Sequence, residues 1–272
     1  MKSDKRILVA FILNLVFSAV ELVGGALTGS IALVSDAVHD FGDGISIGIS
    51  YFLERKSKRP ADEKYTFGYG RFSVIAGAVN SLFLMIGTLF VVYHAVVRLL
   101  DPVEIDYNGV MVLAVIGVVV NFAAAYFTHD GASLNQRAVN LHMLEDVFGW
   151  IAVLFGAIVM RVTGLKFLDP VMSVVLSLVI LISAWKNMKL SCDILLEKVP
   201  NGIDIKEIKE KMLAIENVLN VQNICIWSLD GQRNCAVIHM IADGDFQNIK
   251  EQTRLLLAGY SIHDTIIEIT AL

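Results

Sequence analysis

Residues 7–28 make an apolar run interrupted by Asn14 and Glu21, and about 20 such residues are what an α-helix needs to cross the hydrocarbon core of a bilayer. Comparable runs follow at 31–52, 72–99, 109–127, 139–162 and 167–188, divided by short polar segments such as 54–64 and 101–108. The pattern predicts six membrane-spanning helices. Composition agrees, because 56% apolar and 18% charged residues over 272 positions do not suit a soluble protein of that size. The first run is too long for a signal-peptide core, and no small-residue cleavage site follows it.

Orientation follows from the basic residues, since Lys and Arg near span ends are retained on the cytoplasmic side. With the N-terminus inside, the inner segments hold Lys2, Lys5, Arg6, Arg55, Lys56, Lys58, Arg59, Lys64, Arg71 and Arg137, and the outer ones only Arg98, Arg161 and Lys166. Both termini are therefore expected in the cytoplasm, in a multi-pass protein of the cytoplasmic membrane whose surroundings are lipid. A net charge of −5 offers no basic surface to nucleic acid. Cys192, Cys225 and Cys235 show no paired spacing, which argues against a disulfide framework or a zinc ribbon and for reduced cytosolic thiols.

The pattern changes after Pro200. Residues 1–199 read as the membrane domain and 200–272 as a small soluble domain facing the cytosol. Ile205, Ile208, Met212 and Leu213 have helical spacing within 204–215, and 218–227 reads as a strand ending at the turn Asp230-Gly231. Residues 235–242 supply a hairpin partner, 246–257 a second helix and 265–269 a last strand, an αββαβ order. The expected fold is thus a six-helix membrane bundle with a cytosolic α+β domain.

Ionisable side chains inside spans cost roughly 2.5–3.5 kcal/mol each on insertion scales, so clusters of them suggest function. The second span carries Asp36, His39, Asp40 and Asp43, whose side chains fall within roughly 100° of one helical circumference. In the fifth, His142 and Asp146 are one turn apart. Both spans read HxxxD. Two imidazoles and two carboxylates suit tetrahedral Zn²⁺ at about 2.0–2.2 Å. The lack of thiolates in the spans argues against Cu(I), and two histidines argue against Mg²⁺ or Ca²⁺. Cd²⁺, Co²⁺, Fe²⁺ and Mn²⁺ stay open. The alternative, a hydrogen-bonded interhelical brace, explains one cluster better than two, and it is the reading given to Asn14, Asn80 and Asn121. Glu21 stays undecided.

With a divalent cation bound, the two aspartates balance its charge. Once it leaves, two carboxylates remain in a low-dielectric setting. Proton uptake relieves that state, so metal release and protonation compete at one site and metal/proton exchange is expected.

These residues resemble the cation diffusion facilitators, divalent-metal/proton antiporters. The resemblance is nearly end to end. It rests on Ser35-Asp36-Ala37 leading to His39 and Asp43, on His142 and Asp146, on Phe67-Gly68-Tyr69 before Arg71, on Asp169-Pro170, and on Ile226-Trp227-Ser228-Leu229. It implies a homodimer that exports Zn²⁺ by alternating access, with His39, Asp43, His142 and Asp146 as transport ligands, no catalytic residues, and protons as counter-ion. It also implies a charge interlock between Arg71 and Glu197. In the loop between spans two and three, where some members hold another metal site, only Asp62 remains, because Tyr65 and Tyr69 stand in place of histidines. Regulatory metal binding in the tail would fall to His239 and His263 with Asp243, Cys225 and Glu268, although Gln222 and Cys225 stand where relatives carry histidines. The alternative there is ordinary strand and loop residues. Trp150, one turn past Asp146, occupies a position often filled by a small residue in relatives.

Two other classes compete. A membrane metalloenzyme would show HExxH and an open zinc position, and four protein ligands leave none for water. A passive metal channel would line a pore with the same residues, and coupling to protons separates it from an antiporter.

Overall fold

The computed structural model describes residues 3–101, 103–128 and 134–271, without the side chains of 3–11, 14, 43, 45–51, 54, 127–128 and 134–143. Among the described residues six long helices come first: α1 (Ser3–Thr28), α2 (Ile31–Ser57), α3 (Arg71–Leu100), α4 (Tyr107–Thr128), α5 (Leu134–Thr163) and α6 (Leu168–Leu195). Among the described residues, four stretches are long and apolar enough to cross a membrane: Arg71–Leu100, Tyr107–Tyr126, Leu144–Thr163 and Leu168–Leu195. The apolar part of α1, Leu15–Thr28, is shorter. Their exposed surfaces carry Val, Leu, Ile and Phe, as lipid contact requires.

Two compact units emerge. The first takes the chain up to Ile49 and Val79–Lys186; the second takes Ser50–Ala78 and the chain from Asn187 onward. In the first unit α1, α4 and α5 share a core of Phe17, Val110, Ala114, Trp150, Val153 and Met160, which Leu33 of α2 joins. Glycines permit the close approach: a Cβ on Gly117 would stand 2.2 Å from the Trp150 indole. Turns are fixed by local chemistry. Gly29, at φ +72°, ends α1 in the left-handed conformation, and Gly164 does the same for α5. Ser30 caps α2 by accepting the Leu33 N–H at 3.3 Å and also donates to Asp169 Oδ1, while Asp169 Oδ2 accepts the Ile31 N–H at 2.8 Å. The start of α2 is thereby bonded to the first turn of α6, where Pro170 needs no N–H partner.

The second unit contains the αββαβ domain: α7 (Ile205–Leu213), β1 (Val218–Ser228), β2 (Asn234–Ala242), α8 (Phe246–Ala258) and β3 (Ile262–Ala271). Asp204 and Asp245 cap its helices through their carboxylates. The sheet order is β1-β2-β3, with β1 antiparallel and β3 parallel to β2. A parallel neighbour needs a crossover, and α8 supplies it. Ile208, Met212, Ile238, Leu257 and Ile262 form a core that covers one face of the sheet. Each such side chain contributes about 1.5–3 kcal/mol on burial.

Candidate metal centre

The polar face of α2 is held from several sides. Ser35 Oγ lies 3.1 Å from Ser177 Oγ of α6, and a Cβ on Gly42 or Gly87 would press within 2.8 Å of Leu84 or Val38, so α3 also lies close. On this face Asp40 is 2% exposed and Nδ1 of His39 is buried. Asp43 continues the same unbroken helix one turn later, its side chain lying outside the described residues. The i,i+4 relation expected of His39 and Asp43 is therefore present in the backbone.

On α5 the other spacing is equally helical. Asp146 has a buried Oδ2, and the side chain of His142 lies outside the described residues. Asp36 of α2, Asp146 of α5 and Glu21 of α1 lie within electrostatic reach of one another. Three helices thus direct carboxylates toward a common region. Among the described residues no three His, Cys, Asp or Glu side chains are grouped closely enough to hold a metal ion. Sequence reasoning put Asp36 on the shared polar face of the second span without making it a ligand, and left Glu21 undecided. The available signal was that Glu21 follows Phe17 and precedes Gly24 and Gly25, residues suited to close packing, at helical spacing.

In the tail domain the five expected ligands are dispersed. His239 Nε2 and Glu268 Oε2 are 3.3 Å apart on paired positions of β2 and β3. Cys225, opposite Val237, shares their sheet face, and Asn223 Nδ2 donates to its sulfur at 3.5 Å. His263 lies at the start of β3, beside the register shift at Asn234, whereas Asp243 follows the opposite end of β2. The residues come together as one pair and three separate members.

The loop before α3 has its own chemistry. Asp62 is bonded to the Tyr69 hydroxyl and to two backbone N–H groups, which hold its carboxyl below the usual range. Arg71 Nη2 donates to Glu197 Oε1 at 2.8 Å, the pairing that sequence resemblance led us to expect.

Comparison with known proteins places this architecture. Residues 7–196 match the cation efflux transmembrane domain. The chain is similar to the metal cation efflux system protein CzcD of Cupriavidus metallidurans, at 34% identity over 243 residues, 89% of this chain and 77% of the relative. It is 30% identical to a cadmium, cobalt and zinc/H(+)-K(+) antiporter of Bacillus subtilis over 258 residues, 93% of this chain and 83% of the relative. With the zinc transporter ZitB of Escherichia coli, identity is 32% over 271 residues, 97% of this chain and 86% of the relative. Matches of this extent make the chain a member of the cation diffusion facilitators, membrane transporters of metal cations rather than enzymes.

Proposed function

We propose that the protein exports a divalent metal, Zn²⁺ foremost, from the cytosol in exchange for protons, by alternating access around His39, Asp43, His142 and Asp146. The observation that carries the reading is the presence of two HxxxD spacings on unbroken helices α2 and α5, with Asp36 of one and Asp146 of the other in electrostatic reach. Relatives named as a zinc transporter and as a cadmium, cobalt and zinc/H(+)-K(+) antiporter support the same cargo class and the exchange.

The chemistry follows from the donors. Neutral imidazoles and ionised carboxylates bind the cation, and a site emptied of it holds uncompensated negative charge in a medium that penalises charge. Protons restore neutrality, so they return as the metal leaves. Presenting such a site first to one side and then to the other converts an inward proton gradient into outward metal flow. In this reading both termini are cytoplasmic, all six helices span the cytoplasmic membrane, and residues 200–272 serve dimerisation. Any metal sensing in the tail is assigned to His239 and Glu268, the pair that stands together.

The test is uptake of Zn²⁺ into proteoliposomes carrying a lumenal pH dye. Zinc and protons should move in opposite directions, and an imposed pH gradient should drive the metal. Zinc flux indifferent to the gradient would make the protein a channel or uniporter.

A further inference from the structure

We propose that Glu21 is a proton-carrying carboxylate of this exchange cycle, holding one counter-ion proton while the metal site is empty and yielding it as the cation arrives. The inference rests on the antiport reading and adds a residue beyond the four proposed ligands. Glu21 is 0% exposed, on the α1 face shared with Phe17, Ser18, Gly24 and Gly25. Both of its carboxylate oxygens are buried without a hydrogen-bond partner among the described residues. The groups that face it electrostatically are Asp36 from α2 and Asp146 from α5, both of its own sign, and it is hydrogen-bonded to neither. The same face of α2 also carries His39 and Asp40, and α4, packed along α1, contributes no carboxylate, imidazole or basic group.

A carboxylate kept as an interhelical brace would be bonded to a neighbouring helix, and among the described residues this one has no hydrogen-bond partner. As a permanent anion it would stand beside two like charges, with no counter-charge and no donor among the described residues. A proton removes the charge, and the charge of an arriving cation makes the proton dispensable. The step balances simply. When Zn²⁺ enters, the O–H bond of the Glu21 carboxylic acid breaks, both bonding electrons stay on the carboxylate, and the proton passes to water in the compartment then open to the site. Nothing is oxidised or reduced.

The experiment uses the full chain in two formats. In detergent, Zn²⁺ is titrated in weakly buffered solution with a pH dye, giving affinity and protons released per metal; in liposomes, zinc flux is read against an imposed pH gradient. Glu21→Gln is expected to bind Zn²⁺ within about threefold of the unaltered protein, to release about one proton fewer per metal, and to lose about tenfold of its response to the gradient. Infrared difference spectra give a reading that does not depend on that variant. The unaltered protein should lose a carboxylic-acid carbonyl band on binding Zn²⁺, and Glu21→Asp should shift it. Absence of the band overturns the assignment. So does a Glu21→Gln protein with unchanged proton release and gradient response, which leaves antiport itself standing. Zinc binding weakened about a hundredfold, with proton release per bound metal unchanged, makes Glu21 a ligand and overturns it too. Zinc transport by the unaltered protein without proton movement removes the antiport reading, and the proposal with it.

Discussion

The Tyr69 hydroxyl donates a 2.7 Å hydrogen bond to Oδ2 of Asp62, whose Oδ1 accepts the backbone N–H groups of Lys64 at 2.9 Å and Tyr65 at 2.8 Å. Both carboxylate oxygens are thereby engaged by the loop itself. The phenol proton is held by the carboxylate, which pushes Tyr69 up and, as the largest cause, Asp62 down. The contribution of Asp62 to loop order is complete above the ordinary aspartate value of about 3.9 and is lost as pH falls through its lowered folded value. That of Tyr69 is complete below about 10 and is lost as pH rises through its raised one. Spectrophotometric titration, with Tyr69→Phe subtracted to isolate this phenol, should show Asp62→Asn moving it back down toward the ordinary tyrosine value. No movement would mean that the two side chains are not coupled in solution.

Loss of one of the four proposed transport ligands should be far more damaging than loss of a neighbouring group. Asp146→Ala is expected to reduce zinc flux by more than the roughly 10- to 100-fold that removing an outer-shell partner costs a metal site. Flux near the unaltered rate would remove Asp146 from the pathway.

Gly117 faces the Trp150 indole where a Cβ would stand at 2.2 Å. Gly117→Ala is therefore an overpacking change, expected to destabilise the bundle by about 1–3 kcal/mol. Thermal unfolding in detergent measures it, and an unchanged midpoint would mean that the ring relaxes freely.

Asp169 is 1% exposed and accepts from both the Ser30 hydroxyl and the Ile31 N–H. Asp169→Ala leaves buried donors without an acceptor, each costing about 1–3 kcal/mol. The same unfolding assay should register a loss of at least one such increment, and no loss would mean that water replaces the carboxylate.

In the tail domain, Ile238 is 0% exposed at the centre of the core. Ile238→Ala should cost about 2–5 kcal/mol, whereas Ile266→Ala, on a side chain 60% exposed, should cost far less. Equal losses would contradict the assignment of sheet faces.

Much of this fold is written in local pattern. The helix at Ile208 and Met212 and the alternation along β2 and the second half of β1 are visible because burial of one face imposes a period on the chain, whereas two register shifts break the period in the first half of β1. Parallel pairing of β3 is not visible, since alternation is the same in either direction. The strand also starts earlier than its sequence suggests: Ile262, 1% exposed, is paired with Asn234 before a register shift. Similarly, α2 runs to Ser57 and α6 to Leu195, beyond their apolar runs, because a helix does not stop where hydropathy does. At the site, the HxxxD spacings were legible from helical geometry alone. The approach of Glu21 to Asp36 and Asp146 was not, because it depends on which helices meet.

The indole seated on Gly117 has a mechanical meaning. A ring lodged against bare backbone is a key in a slot, and it leaves only by climbing over the next side chains along α4. Small slippage of α4 against α5 is therefore blocked. That ring lies one turn from Asp146, so a movement of α5 that displaces this carboxylate carries α4 with it, as a single lever rather than as two sliding rods.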